Sequence, residues 1–235
     1  MISVKRFVQA AFIAGLLAGV AQAQGAAATT NGKPAPTQVD TSGPSQLIES
    51  SANILLSGID KRRDEFRKDP TGLYALVEQT LLPNFDTPYA AQLVLGPNWR
   101  SATPEQRDRF VKAFYQSLLY TYGDAMVDFS ADRLKVLPTQ VTDADTKATV
   151  RTTIKRSNGQ SVAVNYTLHK VSNQWKAWDV VIDGISYVKS YREDYGAEVA
   201  QKGLDSVIQR LESKAAAAKA GKGSAAPAGV KTPKT

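Results

Sequence analysis

The chain has 235 residues, no cysteine, one histidine and a formal net charge of +7. Without cysteine it has no disulfide, no thiol chemistry and no attachment point for a lipoprotein anchor. Lys5 and Arg6 carry two of the charges, and Lys214, Lys219, Lys222, Lys231 and Lys234 carry five, so residues 7–213 are neutral overall and lack the basic balance of a nucleic-acid-binding domain.

Lys5 and Arg6 precede an apolar run from Phe7 to Val20, closed by Ala21-Gln22-Ala23. A basic start, a short apolar middle and a small-x-small end define a secretory signal peptide, residues 1–23, with cleavage expected after Ala23. The run is shorter than the ~20 residues of a spanning helix. Residues 24–43 are small, polar and rich in Pro and Gly, which predicts a flexible leader. The folded domain is expected over residues 44–212, enough for one core. Residues 213–235, rich in Lys and Ala, are expected to be a disordered tail.

The first half of the domain reads as helical. Ile48, Ala52, Leu55, Ile59 and Phe66 recur at helical spacing, with Ser45 a candidate cap after Pro44 and Asp69-Pro70-Thr71-Gly72 a break. Leu73, Leu76, Val77 and Leu81 mark a second helix that Pro83 ends. Thr87-Pro88 opens a short third helix, closed by Gly96-Pro97. Thr103-Pro104-Glu105-Gln106 has the form of a capping box. The helix behind it sets Phe110, Phe114, Leu118 and Tyr122 on one stripe, with Val111, Tyr115 and Leu119 beside it.

The second half alternates. A strand is expected over about Arg133 to Val141. In the next, Ala148, Val150, Thr152 and Ile154 face one way and Lys147, Thr149, Arg151, Thr153 and Lys155 the other. Ser157-Asn158-Gly159-Gln160 is a hairpin turn, because Asn-Gly tolerates positive φ at both central positions. Val162, Val164, Tyr166 and Leu168 continue the apolar face. After a short turn at Ser172-Asn173, Trp178, Val180 and Ile182 are expected on that face, opposite Ala177, Asp179, Val181 and Asp183. This is an antiparallel meander of about four strands. Helices and strands in separate blocks predict an α+β fold. A curved sheet with helices over one face makes a cone, holding either an ordinary core or an apolar cavity.

Few residues invite catalysis. His169 lies on the polar face of its strand with no second His or Cys to build a metal site, so a surface position is expected. Asp179 and Asp183 share a strand face and could do acid–base work, but Asp183-Gly184 marks a turn and Ser186 can cap the helix that follows, which favours structural roles. No Gly-rich phosphate loop and no Gly-x-Ser-x-Gly elbow occurs. Trp99-Arg100, at a helix junction, and Arg192 are candidates for contact with a lipid phosphate or a partner carboxylate; the alternative is a corner Trp beside solvated Arg side chains. The Lys-rich tail could meet anionic headgroups, or be only a solvated tail.

The closing block is the most specific part of the chain: Trp175-Lys-Ala-Trp178-Asp179-Val-Val-Ile182-Asp183-Gly184-Ile-Ser186-Tyr187, then Tyr191-Arg192 and Tyr195, through Gly203-Leu204 to Leu211. With Leu82-Pro83-Asn84-Phe85-Asp86, Leu93 to Arg100, Thr103 to Arg107 and Tyr120-Thr121-Tyr122-Gly123, it resembles the MlaC family over nearly the whole domain. Tyr187 stands where an aliphatic residue is more usual, and the Lys-rich tail is a further departure. The resemblance implies an NTF2-like cone and a periplasmic, non-enzymatic phospholipid carrier without cofactor or metal. It also implies exchange of lipid with an outer-membrane lipoprotein complex and an inner-membrane ABC transporter, as part of maintaining outer-membrane lipid asymmetry and toluene tolerance.

Such a carrier faces a physical demand. Each buried methylene contributes ~0.8 kcal/mol, so two chains of about sixteen carbons resist extraction by roughly 25 kcal/mol. Both tails must be enclosed, while the headgroup stays in water. The expected lining is Val150, Thr152, Ile154, Val162, Val164, Tyr166, Trp178, Val180 and Ile182 from the sheet, with Leu73, Val77, Phe110, Phe114 and Leu118 from the helices. Two other readings stay open: an NTF2-like enzyme, with Asp179 the nearest acid–base candidate although the alternation points it outward, and an adaptor with a filled core.

Overall fold

The computed structural model describes residues 37–129, 134–155 and 160–220. The expected signal peptide, most of the leader, Ser157-Asn158-Gly159 of the hairpin turn and the last residues of the tail lie outside them.

Helix α1 (Pro44–Lys68) starts on Gly43, whose extended backbone forms the N-cap, with Pro44 as the first helical residue. Proline fits there because its missing N–H would have had no helical partner. Ser45, the expected cap, therefore lies inside the first turn and makes no capping bond. The residues just before α1 are docked: Val39 packs on apolar side chains of the sheet, and the Asp40 N–H donates to Ser50 Oγ at 2.8 Å. Within α1, Arg62 leaves helical geometry (φ −130°, ψ 19°), so the helix bends there. It ends at Asp69, because Pro70 disfavours helical torsions in the residue before it.

Helix α2 (Thr71–Leu81) runs into a single 3-10 turn at Leu82–Asn84. Helix α3 (Thr87–Leu95) is capped one residue earlier than expected: Asp86 Oδ1 accepts from the Tyr89 N–H at 3.1 Å, and Thr87 and Pro88 fill the first turn. Gly96 ends it at φ +54°, in the region that favours glycine, and a Cβ there would stand 2.8 Å from Arg192 Nε. The short α4 (Asn98–Ser101) leads to α5 (Pro104–Met126). The capping box is formed in both directions: the Gln106 N–H donates to Thr103 Oγ1 at 3.1 Å and the Thr103 N–H to Gln106 Oε1 at 3.0 Å.

The sheet is antiparallel in chain order: β1 (Leu134–Val136), β2 (Lys147–Lys155), β3 (Ser161–Val171), β4 (Gln174–Ile182) and β5 (Ile185–Ser186). The first strand is shorter than expected, and Pro138, which has no N–H to give to a ladder, lies just beyond it. The unexpected fifth strand follows a two-residue turn in which Asp183 (φ 48°) and Gly184 (φ 84°) are both left-handed. Ser172 and Asn173 form the expected tight turn the same way, at φ 48° and 65°. Ser186 then caps α6 (Tyr187–Lys202), its Oγ accepting from the Lys189 N–H at 3.1 Å. After Gly203, α7 (Leu204–Lys219) carries the chain past the expected domain end and buries Ala215. The α+β organisation is as the sequence predicts.

One irregularity matters for the site. Thr167 of β3 pairs with Asp179 but Leu168 pairs with Ala177, so Trp178 is an extra residue in β4, a β-bulge. On the Ile182 side of the bulge, Val180 and Ile182 share a face with Tyr166 and Val164; on the other side, Ala177 and Trp175 share that same face with Leu168 and Lys170. Ala177 was expected on the opposite face. Trp178, expected beside Val180 and Ile182, instead brings its ring to Tyr89 of α3, centroids 5.6 Å apart.

The buried apolar side chains fall into three groups. One joins α3, α5, α6 and α7 around Val94, Phe110, Phe114, Tyr195, Ile208 and Leu211. A second joins α1, α2 and α5 around Leu55, Ile59, Phe66, Leu73, Val77 and Leu119. In the third, Leu47 and Ile48 of α1 sit on Ala148, Val150, Leu168, Trp175 and Ala177 of the sheet.

Candidate functional site

The apolar face of the sheet is one continuous surface with two kinds of cover. In rows across the strands, Ala148, Leu168 and Ala177 stand together, then Val150, Tyr166 and Val180, then Val136, Thr152, Val164 and Ile182, and last Leu134, Ile154 and Val162. The first row is roofed by Leu47 and Ile48. Further along, Ile154, Tyr166, Val180 and Ile182 are only half-buried. Val162 and Val164 are buried, yet they pack into none of the three apolar groups. Ile185 pairs with Ile182, extends the third row beyond β4 and is 38% exposed.

Tyr166 reports on this region. Burial alone pushes its phenol up to about 12, so protein surrounds it and little water solvates it. The side chain is nevertheless only half-buried. It packs against the group formed by Leu47, Ile48 and the sheet. Nearby, Thr152 carries the lining's aliphatic hydroxyl. Its Oγ1 donates to the Val164 carbonyl at 2.7 Å, so its hydrogen-bonding need is met within the sheet.

The fourteen residues expected to line a pocket are divided by the structure. Val150, Thr152, Ile154, Val162, Val164, Tyr166, Val180 and Ile182 share the face. Trp178 packs against the helical group, as does Leu118. Leu73 and Val77 sit inside the α1–α2–α5 core, and Phe110 and Phe114 inside the α3–α5–α6–α7 core.

Trp99 packs on that last core while its carbonyl accepts from Arg107 Nε at 2.9 Å, and the Arg107 guanidinium lies over its ring at 5.3 Å. Arg107, and Lys112 which the sequence did not single out, join Trp99 around a surface hollow of about 400 Å³. Arg100 is exposed beside it. Arg192 is exposed but lies against Gly96. His169 is not the solvated side chain expected: its Nε2 is 2.8 Å from Asp86 Oδ2, its ring lies 4.6 Å from Tyr89, and its side chain is 18% exposed.

Asp179 lies off the apolar face, as expected, and is buried in the structural role the sequence favours. Its carboxylate accepts from Ser186 Oγ at 2.6 Å and from the Val188 N–H at 3.0 Å, and so anchors the start of α6. Asp183 Oδ1 accepts from the Ala163 N–H at 3.2 Å and secures the turn before β5. Both carboxylates are held in structural bonds. Among the described residues no cluster of three or more His, Cys, Asp or Glu could hold a metal ion. No helix is long and apolar enough to cross a membrane, again among those residues.

The comparisons with known proteins agree with one another. The family model described as MlaC protein matches residues 49–213. The toluene tolerance protein ttg2D of Pseudomonas putida is 26% identical over 179 residues, covering 75% of this chain and 83% of the relative. The intermembrane phospholipid transport system binding protein MlaC of Haemophilus influenzae is 25% identical over 182 residues, covering 76% of this chain and 85% of its own. Among solved structures, the phospholipid-binding protein of Ralstonia solanacearum in complex with a phospholipid superposes with a TM-score of 0.66. It is 25% identical, and the match covers 73% of this chain and 96% of that one.

Proposed function

The chain belongs to the MlaC family, and from that premise we propose that it is a phospholipid carrier that holds its cargo by the acyl tails against the half-open part of the sheet. The observation that carries this reading is the half-buried part of the apolar face. Val180 beside Tyr166, and Ile182 and Ile154 further along the same face, remain half-buried. Hydrocarbon is the ligand such a surface suits, because it removes apolar area from water and asks for no hydrogen bonds. The names of the relatives, a phospholipid transport binding protein and a phospholipid-bound structure, support the same ligand.

The carrier is exported by cleavage after Ala23 and works in the periplasm. It takes lipid from, or gives it to, an outer-membrane lipoprotein complex on one side and an inner-membrane ABC transporter on the other. Trp99, Arg100 and Arg192, on the helical side of the molecule, are offered as contacts for those partners or for a headgroup. The protein acts by holding cargo and not by transforming it; the buried Asp179, the nearest acid–base candidate, is committed to α6. Organic extraction of the purified, processed protein followed by mass spectrometry is expected to yield phospholipid. Protein that carries none and takes none up from vesicles would overturn the reading.

A further inference from the structure

The side of the sheet that faces away from the apolar rows is divided too. Towards β4 it is occupied: the Tyr89 ring of α3 lies 4.6 Å from the His169 ring, and Asp179 holds the start of α6. Towards β1 and β2 it is open. Lys147, Thr149, Arg151, Thr153 and Lys155 alternate with the apolar residues of β2, and Lys135 pairs with Thr153 and so shares their face. Lys135, Lys147, Arg151 and Lys155 are all exposed.

These four cations are unopposed. None has an ion-pair partner among the described residues. The carboxylates of the neighbouring chain are engaged elsewhere. Asp86 holds His169 and caps α3, Asp179 and Asp183 hold α6 and the turn before β5, and Asp145 accepts from the Thr142 N–H at 2.7 Å and its hydroxyl at 2.8 Å. That leaves Asp143, exposed on the loop before β2. Residues 7–213 are neutral overall, so the positive excess of this face is balanced by acids on the helices. The body has no net charge and yet has a positive side.

A hollow of about 540 Å³ opens beside the row of cations. Pro138 has no N–H to continue the β1 ladder. The Leu137 N–H still donates to the Arg151 carbonyl at 2.8 Å, and beyond it stands only a long bond, 3.5 Å, from the Thr139 hydroxyl to the Thr149 carbonyl. The loop thus stands off the strand, and Thr139, Gln140, Lys147, Thr149 and Arg151 line the gap. Cations flanked by hydroxyl and amide donors suit a phosphate, whose charge strengthens each hydrogen bond. From Lys147 to Lys155 the row runs about 27 Å at the usual rise of a strand. That is too long for one small anion and suits a surface of many phosphates.

We infer that the outer face of β1 and β2 docks on an anionic phospholipid bilayer, the hollow seating one phosphate headgroup and the flanking cations meeting its neighbours. Lys135 and Lys155 adjoin Leu134 and Ile154, the last row of the apolar face. A bilayer held there borders the half-buried end of that face. The docking itself does not depend on the carrier reading; only its purpose does.

The test is co-sedimentation of the processed protein with vesicles of phosphatidylcholine, alone or mixed with phosphatidylglycerol, at low and at high salt. Wild type is expected to bind the mixed vesicles, to ignore the neutral ones, and to be released as salt screens the exposed charges. The Lys-rich tail is the competing source of attraction, so two variants with equal charge loss are compared. The sheet variant carries Lys135→Gln, Lys147→Gln, Arg151→Gln and Lys155→Gln; the tail variant carries Lys219→Gln, Lys222→Gln, Lys231→Gln and Lys234→Gln. Each neutralisation on the sheet should weaken partitioning by about fivefold, the usual worth of one cation at a membrane surface. The sheet variant should therefore lose binding at an unchanged melting temperature, while the tail variant keeps most of it. The exchange Lys147→Arg with Arg151→Lys keeps the charge and should bind as wild type does. Wild type that ignores the mixed vesicles overturns the inference. So does a sheet variant that binds undiminished, or a tail variant that alone loses binding.

Discussion

The two ends of the apolar face share a residue vocabulary and an alternation, yet they are finished differently. At one end Ala148, Val150, Leu168, Trp175 and Ala177 are sealed beneath Leu47 and Ile48, none more than 9% exposed. At the other, Ile154, Val180 and Ile182 keep part of their surface. A strand's pattern therefore says which way its side chains point, but not whether anything of the protein's own covers them. The sealed end contributes stability; the open end forgoes some of it and leaves room for a guest.

The sharpest break of that comparison is in folding. Leu168→Ala empties a fully buried position and is expected to cost about 2–5 kcal/mol in denaturant unfolding. Ile182→Ala, on the same face, should cost less than about 1 kcal/mol in lipid-free protein, because less of its side chain is packed. Equal losses would mean that the two ends are filled alike. Ile182→Glu inverts the order of effects. A carboxylate on the row opposes hydrocarbon by several kcal/mol on the order-of-magnitude scale for unpaired charges, so bound phospholipid should fall by at least about tenfold while the melting temperature moves little.

Asp179→Ala tests the frame rather than either end. It leaves the Val188 N–H and Ser186 Oγ without their buried acceptor and should lower stability by about 1–3 kcal/mol. Asp179→Asn keeps an acceptor oxygen and should lose less, with lipid binding retained. The smallest effect comes from acid. The paired guanidinium of Arg210 lowers the carboxyl pKa of Glu198 below its ordinary value. The bridge's contribution is therefore complete above the usual glutamate range and fades as the pH falls through it and below. Stability measured from pH 6 to pH 3 should lose less on acidification in Glu198→Gln than in wild type, and the difference between the two ends of the sheet should not change.

Much of the fold was legible. The capping box at Thr103, the break at Pro70 and the tight turn at Ser172-Asn173 are local signals, written in a few neighbouring residues and obeyed. The parts that were missed depend on distant partners or on counting. His169 reads as a surface residue until the fold brings Asp86 and Tyr89 to it. Asp179 reads as a structural carboxylate, but the groups it holds are fixed only when α6 folds back over it. Leu73, Val77 and Phe110 have the spacing of lining residues because one helical stripe looks the same whether it faces a neighbouring helix or a cavity. The Tyr122–Tyr191 bond joins two helices separated by the whole sheet in sequence, and no spacing rule connects them.

The bulge at Trp178 has a consequence for how the chain tolerates genetic change. With that extra residue in place, Ile182 and Trp175 are an odd number of positions apart and still look the same way. A side chain at position 178 can be exchanged at the cost of its packing against Tyr89. Losing the position altogether would remove the bulge and leave regular alternation, with Ala177 and Trp175 an even number of positions from Ile182 and still on its face. An in-frame deletion at codon 178 thus removes the bulge and the Trp178–Tyr89 contact but keeps the facing of the strand, whereas loss of a second residue from β4 would invert half of it.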